Sequence, residues 1–174
     1  MKKELAVRKT VTVNAPEKHV FAVFTEGHGA WWPLETHHIG AKRPETAIIE
    51  PRAGGRWFER AGDGTECDWG KVLVWDPFGR LVLSWEINAQ FTRDPNLKTE
   101  VEVRFIAEGS ERTRVELEHR LLENYGEQAE IMQSIFDSDG GWTGIMARFA
   151  TQAAGGALST EVTCSADQRA DQPK

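Results

Sequence analysis

Four groups of side chains in this sequence could do chemistry: His119, Glu59, the pair His37-His38 and an unusually large set of tryptophans. His119 belongs to the alternation Val115, Leu117, His119, Leu121, set against Arg114, Glu116, Glu118 and Arg120. A strand turns successive side chains to opposite faces, so this imidazole shares the apolar face and points inward. It reads either as a polar anchor for a ligand carbonyl or hydroxyl, or as a core histidine satisfied by a neighbouring hydroxyl or backbone group. In both readings desolvation disfavours the imidazolium, which predicts a buried ring with a depressed pKa. A lone histidine is no catalytic set, because a general base needs a substrate proton within reach and usually an orienting partner. Glu59 shares strand parity with Trp57. If it turned into the same cavity as His119, the two would form an acid/base pair; otherwise it is a solvated edge glutamate.

Seven tryptophans in 174 residues form a large aromatic surface. Trp85 and Trp142, with Phe105 and Met146, fall at core-facing positions. Trp32, Trp57 and Trp69 lie near loops or strand starts and are expected to rim a cavity mouth. Aromatic walls with a few convergent polar groups are what small-molecule pockets are made of. His37-His38 is not read as a metal site: adjacent histidines point apart on a regular element, and no CxxC, HxH or HExxH spacing accompanies them. Asp63 to Asp68 lacks the twelfth-position Glu of a calcium loop and fits a hairpin turn better. There is no Gly-x-Ser-x-Gly, no Cys-His signature and no phosphate-cradling glycine loop, so neither a catalytic motif nor a cofactor is expected.

The bulk properties narrow the classes. With 40% hydrophobic and 28% charged residues and a net charge of −6, this is a soluble globular composition. Its basic residues are scattered among acidic ones, which excludes nucleic acid as the expected partner. The first nine residues lack the apolar stretch of a signal peptide, and no run reaches the ~18 apolar residues of a membrane span. Cys67 and Cys164 are read as free thiols in a reducing cytoplasm. A homodimer is compatible with this composition.

The elements that must position these residues follow from periodicity. Leu5–Val13 alternates as a first strand. Pro16 and Glu17 open a short helix whose stripe is Val20, Phe21, Val23 and Phe24. A second short helical segment holds Trp31 and Trp32, and residues 33–45 read as a loop. Strands are expected at 47–51, 55–60, 67–75, 81–87 and over the hairpin 99–121, with turns at Gly62-Asp63-Gly64, Asp76-Pro77-Phe78-Gly79 and Glu108-Gly109-Ser110-Glu111. Glu127–Phe136 reads as a helix with Ile131, Ile135 and Phe136 on its stripe. Asp137–Gly141 interrupts it, and Ser138 or Asp139 could cap the next helix. That helix, of about 15 residues, buries Trp142, Ile145, Met146, Phe149 and Ala153 and would span ~22 Å. The order is α+β, an antiparallel meander with a closing helix. Residues 1–154 are expected to form one domain and 155–174 a polar, disordered tail.

Several motifs occur together in order: Val11-Thr12-Val13-Asn14-Ala15-Pro16, Trp31-Trp32-Pro33, Pro51-Arg52-Ala53-Gly54-Gly55-Arg56-Trp57, Gly70-Lys71-Val72-Leu73-Val74-Trp75-Asp76-Pro77, Arg80–Trp85, Thr113–His119 and Gly140-Gly141-Trp142. Over residues 5–153 the chain resembles the activator-of-heat-shock-protein-ATPase homologues (Aha-type) of the START-like (SRPBCC) superfamily. The resemblance implies a helix-grip fold, a curved antiparallel sheet around a long C-terminal helix with an internal cavity. It also implies binding of a small hydrophobic or polyketide-like molecule. His119, Trp85, Trp142, Trp57, Glu59, Trp32, Trp69, Phe105 and Met146 are the candidate ligand-binding residues. The alternatives are a cofactor-free cyclase or hydrolase acting on such a ligand, with His119 and Glu59 in proton transfer, and a chaperone-interacting protein.

Overall fold

The computed structural model describes residues 4–155; all but the first residue of the tail expected at 155–174, Cys164 included, lies outside the described residues. Seven strands form one antiparallel sheet: β1 (Val7–Val13), β2 (Pro44–Ile49), β3 (Arg56–Ala61), β4 (Glu66–Asp76), β5 (Arg80–Trp85), β6 (Thr99–Ala107) and β7 (Thr113–Arg120). Their order across the sheet is β1-β7-β6-β5-β4-β3-β2, so every neighbouring pair except β1–β7 is consecutive in sequence. The short helices α1 (Glu17–Thr25) and α2 (His28–Trp31) follow β1. A 3-10 turn (Leu122–Gln128), α3 (Ala129–Asp137) and α4 (Trp142–Ala153) close the chain against the concave face. This is the α+β helix-grip arrangement.

Strand alternation carries most of the core. Val115, Leu117 and His119 of β7 are fully buried between partly exposed charged neighbours, and Val101, Val103 and Phe105 are buried at alternate positions of β6. The outer face is an ion-pair lattice. Glu102 accepts from Arg80 at 2.6 Å and Arg120 at 2.6 Å and pairs with Arg104 at 2.9 Å. Burial acts to raise the Glu102 pKa, but those guanidiniums outweigh it and hold the carboxyl below its usual range. Such a face offers charge rather than an apolar patch to a partner.

β4 departs from simple alternation. Trp57 pairs with Gly70 while Phe58 pairs with Asp68, and Val72 pairs with Leu83 while Val74 pairs with Val82. Each shift leaves one residue of β4 unmatched, first Trp69 and then Leu73, and an extra residue bends the strand and re-aims its side chains. Trp69 and Val72 thus both face the core although they differ in parity, while Leu73 stays exposed. Gly70 is required at the first bulge, since a Cβ there would meet the Ser84 carbonyl oxygen at 1.9 Å.

The C-terminal segment corrects two expectations. The buried stripe of α3 is Ala129, Met132 and Phe136, while Ile131 and Ile135 are exposed. The 3-10 turn and a positive-φ Leu121 set the phase of α3, and neither shows in the hydrophobic spacing. Ser138 does not cap α4; its hydroxyl donates back to the Ile135 carbonyl at 2.7 Å and closes α3 instead. α4 begins at Gly141 without a side-chain cap. No helix among the described residues is long and apolar enough to cross a membrane.

Candidate functional site

Six of the seven tryptophans are buried, and four of them enclose a pocket. Trp32 comes from the end of α2, Trp69 from the β4 bulge, Trp85 from the end of β5 and Trp142 from the first turn of α4. The rings pack edge to face or tilted, with centroids 5.1 Å apart for Trp32–Trp69 and 6.0 Å for Trp32–Trp142. Ile39, Ile87, Phe136 and Ile145 complete the apolar wall, and Phe91 and Ile135, both well exposed, stand at the mouth. The cavity holds about 300 Å³, at the lower end of small-molecule sites. Its polar side chains are Thr36, His37 and His38 from the loop before β2.

The tryptophan N–H groups are tied to protein. Trp32 donates to the His37 carbonyl at 2.9 Å, Trp69 to Glu59 at 2.7 Å, Trp142 to His119 Nδ1 at 3.1 Å, and Trp57 to His28 Nε2 at 3.1 Å. The pocket is therefore walled by ring faces and edges whose polar atoms are engaged behind them. Trp85 is the exception: its Nε1 is the one buried side-chain nitrogen or oxygen among the described residues without a partner. The Tyr125 phenol, which burial holds above its ordinary pKa and which Trp85 draws weakly the other way, donates to the Ile87 carbonyl at 2.6 Å instead.

His119 is fully buried, and both ring nitrogens are occupied. An indole N–H can only donate, so Nδ1 accepts from Trp142 and the proton sits on Nε2. Nε2–H then donates to Thr99 Oγ1 at 3.1 Å, and that hydroxyl donates to the Trp85 carbonyl at 2.8 Å. Burial lowers the pKa to about 3. The ring forms no part of the pocket wall; it holds Trp142 in place from behind. Sequence reasoning missed its counterpart, His28 of α2. His28 donates from Nδ1 to the Phe24 carbonyl at 3.1 Å and accepts Trp57 at Nε2. Burial lowers its pKa to about 3, only partly opposed by the Phe24 carbonyl. Only its i+4 spacing from Phe24, which puts it on the apolar stripe of the preceding helix, could have signalled this.

Glu59 is buried, so the solvated-edge reading does not hold. Its carboxylate accepts from the Ile39 and Gly40 backbone N–H groups at 2.8 and 2.9 Å, as well as from Trp69. Glu59 and His119 thus serve separate hydrogen-bond sets and form no acid/base pair. Glu59 instead clamps the loop bearing His37, His38 and Ile39 against the Trp69 wall. The loop also reaches across the mouth, where His37 Nε2 meets the Gly140 carbonyl at 2.7 Å and Thr36 Oγ1 meets Nδ1 at 2.7 Å.

The remaining candidates divide by position. Trp57 lies behind Trp69 and Trp85 in the core and does not line the pocket, and Trp32 and Trp69 are buried walls rather than an exposed rim. Phe105 packs on Phe21 and Phe24, and Met146 is buried on α4; neither lines this pocket. Among the described residues no cluster of His, Cys, Asp and Glu could hold a metal ion. Gly40 makes the clamp possible, since a Cβ there would lie 2.8 Å from Glu59 Oε2 and 3.0 Å from Cys67 Sγ. Gly40→Ala is expected to cost about 1–3 kcal/mol, because Glu59 is pinned by three donors and cannot yield. Urea unfolding of the variant beside the parent checks this.

A curved sheet gripping a helical segment beside an aromatic pocket defines a helix-grip protein of the START-like class. Residues 14–154 match the Activator of Hsp90 ATPase homolog 1-like protein family, and the chain belongs to that family. Among solved structures it is similar to Txn09, an anthrahydroquino-gamma-pyrone synthase. That protein is 39% identical, with a TM-score of 0.59 over 87% of this chain and 99% of the other. It is also similar to CalC, a self-sacrificing resistance protein from Micromonospora echinospora. CalC is 30% identical, with a TM-score of 0.61 over 85% and 93% of the two chains. Protein MLL2253 from Mesorhizobium loti shares the fold alone, at 15% identity and a TM-score of 0.60 over 90% and 100% of the chains. No curated protein matches.

Proposed function

We propose that this protein binds a flat, polycyclic aromatic compound carrying hydroxyl and carbonyl groups, of the polyketide type, between Trp32, Trp69, Trp85 and Trp142. The observation that carries this reading is the wall of four buried indoles around a cavity of about 300 Å³. Their ring faces suit stacking on an extended π-system, worth ~0.5–1.5 kcal/mol per ring pair beyond area burial. The likeness to Txn09, an anthrahydroquino-gamma-pyrone synthase at 39% identity, supports the ligand class. Cys67, in no disulfide among the described residues, is compatible with a reducing, cytoplasmic setting.

Titration with 2-hydroxyanthraquinone, followed by quenching of tryptophan fluorescence, tests this. Saturable quenching is expected, with Trp85→Leu weakening binding about tenfold, or ~1.4 kcal/mol. Failure to saturate up to the solubility limit of the dye would rule out the reading. A second reading, a cofactor-free enzyme that closes a ring on such a ligand, is favoured by the likeness to Txn09. It cannot use the pairing of His119 and Glu59, because both are fully engaged in holding tryptophans and backbone.

A further inference from the structure

One imidazole of the pocket wall keeps a free nitrogen. His38, half-buried, directs Nδ1 to the Gly40 carbonyl at 3.0 Å. A carbonyl only accepts, so the neutral ring carries its proton on Nδ1 and its lone pair on Nε2. Among the described residues nothing hydrogen-bonds Nε2. The carbonyl that fixes this tautomer belongs to Gly40, whose N–H, with that of Ile39, is held by the buried Glu59 carboxylate. A buried acid thus orients an imidazole through the backbone, the arrangement that a single base otherwise lacks.

We propose that His38 is the proton acceptor of this pocket, taking the proton of a phenolic hydroxyl on the bound aromatic ligand, with Glu59 as its positioning residue. The inference rests on the binding reading above. In the step, the ligand O–H bond breaks and its electron pair stays on oxygen as a phenolate. The proton bonds to His38 Nε2, and Nδ1–H remains on the Gly40 carbonyl, so no oxidant, reductant or co-reactant is needed. The resulting ion pair forms beside the aromatic wall, partly shielded from water, where attraction between the two charges is stronger than in free solution. A phenolate held this way is the form of the ligand able to attack an electrophilic carbon.

The test uses 2-hydroxyanthraquinone at about pH 7, where the two buried histidines leave the fold intact, and compares the band of the bound dye with that of the free dye at the same pH. Loss of the phenolic proton moves its visible band to longer wavelength, which separates proton transfer from binding. The parent protein is expected to quench and to red-shift the dye together. His38→Gln should bind more weakly, by about tenfold, and leave the dye that does bind in its unshifted form. Glu59→Gln should bind more weakly and shift only part of the bound dye, whereas His37→Gln should weaken binding yet leave the band of the bound dye shifted. Quenching without a red shift in the parent overturns the proton-acceptor role and leaves the binding reading standing. A red shift that survives in His38→Gln assigns the proton to another group and overturns the proposal. Absence of quenching overturns both. Far-ultraviolet circular dichroism of each variant confirms that the fold is retained before either signal is read.

Discussion

Acidification from about pH 7 to about pH 4.5 is expected to remove about 5 kcal/mol of folding stability. The cause is the matched pair of buried histidines. His28 and His119 each accept an indole N–H on one nitrogen, so each must stay neutral for the fold to stand. Both have a folded-state pKa of about 3 against an ordinary value of 6.5. A base whose pKa is depressed on folding binds its proton more readily when unfolded. The stability that it contributes is therefore present above pH 6.5 and is lost as the pH falls from there toward 3. Two pH units below 6.5 each site costs roughly 2.7 kcal/mol, at about 1.4 kcal/mol per unit, and the two together approach the whole stability of an ordinary domain.

Urea midpoints at intervals across this range should fall with a slope of about two protons. Replacing one pair together, His119→Leu with Trp142→Phe, removes donor and acceptor at once and should halve the slope. A stability that does not change between the two ends would mean that both rings are solvated or already charged, and a loss of half the expected size that one of them is.

Glu59→Ala is expected to destabilise the protein by about 3–4 kcal/mol and to abolish ligand binding at concentrations that saturate the parent. The substitution leaves three donors, the backbone N–H groups of Ile39 and Gly40 and the indole of Trp69, without their acceptor. Each orphaned buried group costs roughly 1–3 kcal/mol, and the local loop can relax toward water to recover part of it. What relaxes is one wall of the pocket, so binding falls further than stability alone requires. Equilibrium unfolding gives the first quantity and fluorescence titration below the unfolding transition the second. A stable variant that binds normally would show that the loop before β2 is held by other contacts, with the clasp from His37 to Gly140 the next to be tested.

These two networks also show how far the residues could be read without coordinates. Alternation over 99–121 set β6 and β7, placed His119 inward and predicted its burial and low pKa, because a half-buried hairpin enforces a period of two. The order of strands and helices, the turns and the apolar face of α4 followed from equally local rules. The inward turn of Glu59 was legible as parity with Trp57, but its partners were not, since they lie 10 to 20 residues away in another loop and strand. Trp69 was read as a mouth residue because a bulge leaves no mark on composition, yet that bulge is what turns it into the wall. The stripe of α3 failed for a similar reason: the left-handed Leu121 and the 3-10 turn reset the helix phase.

The sequence by itself determined the α+β order, the curved meander, the buried histidine on β7 and an aromatic interior, all consequences of period and of residue type within a few positions. Only the tertiary structure decided which side chains face the cavity and which hold those that do. It engaged both nitrogens of His119 and all of Glu59 with protein, and left His38 with a free nitrogen on the pocket wall. The physical reason is that hydrogen-bond satisfaction is settled between segments far apart in the chain. A donor that has found its acceptor inside the fold is withdrawn from chemistry, and no local pattern records which donors those are.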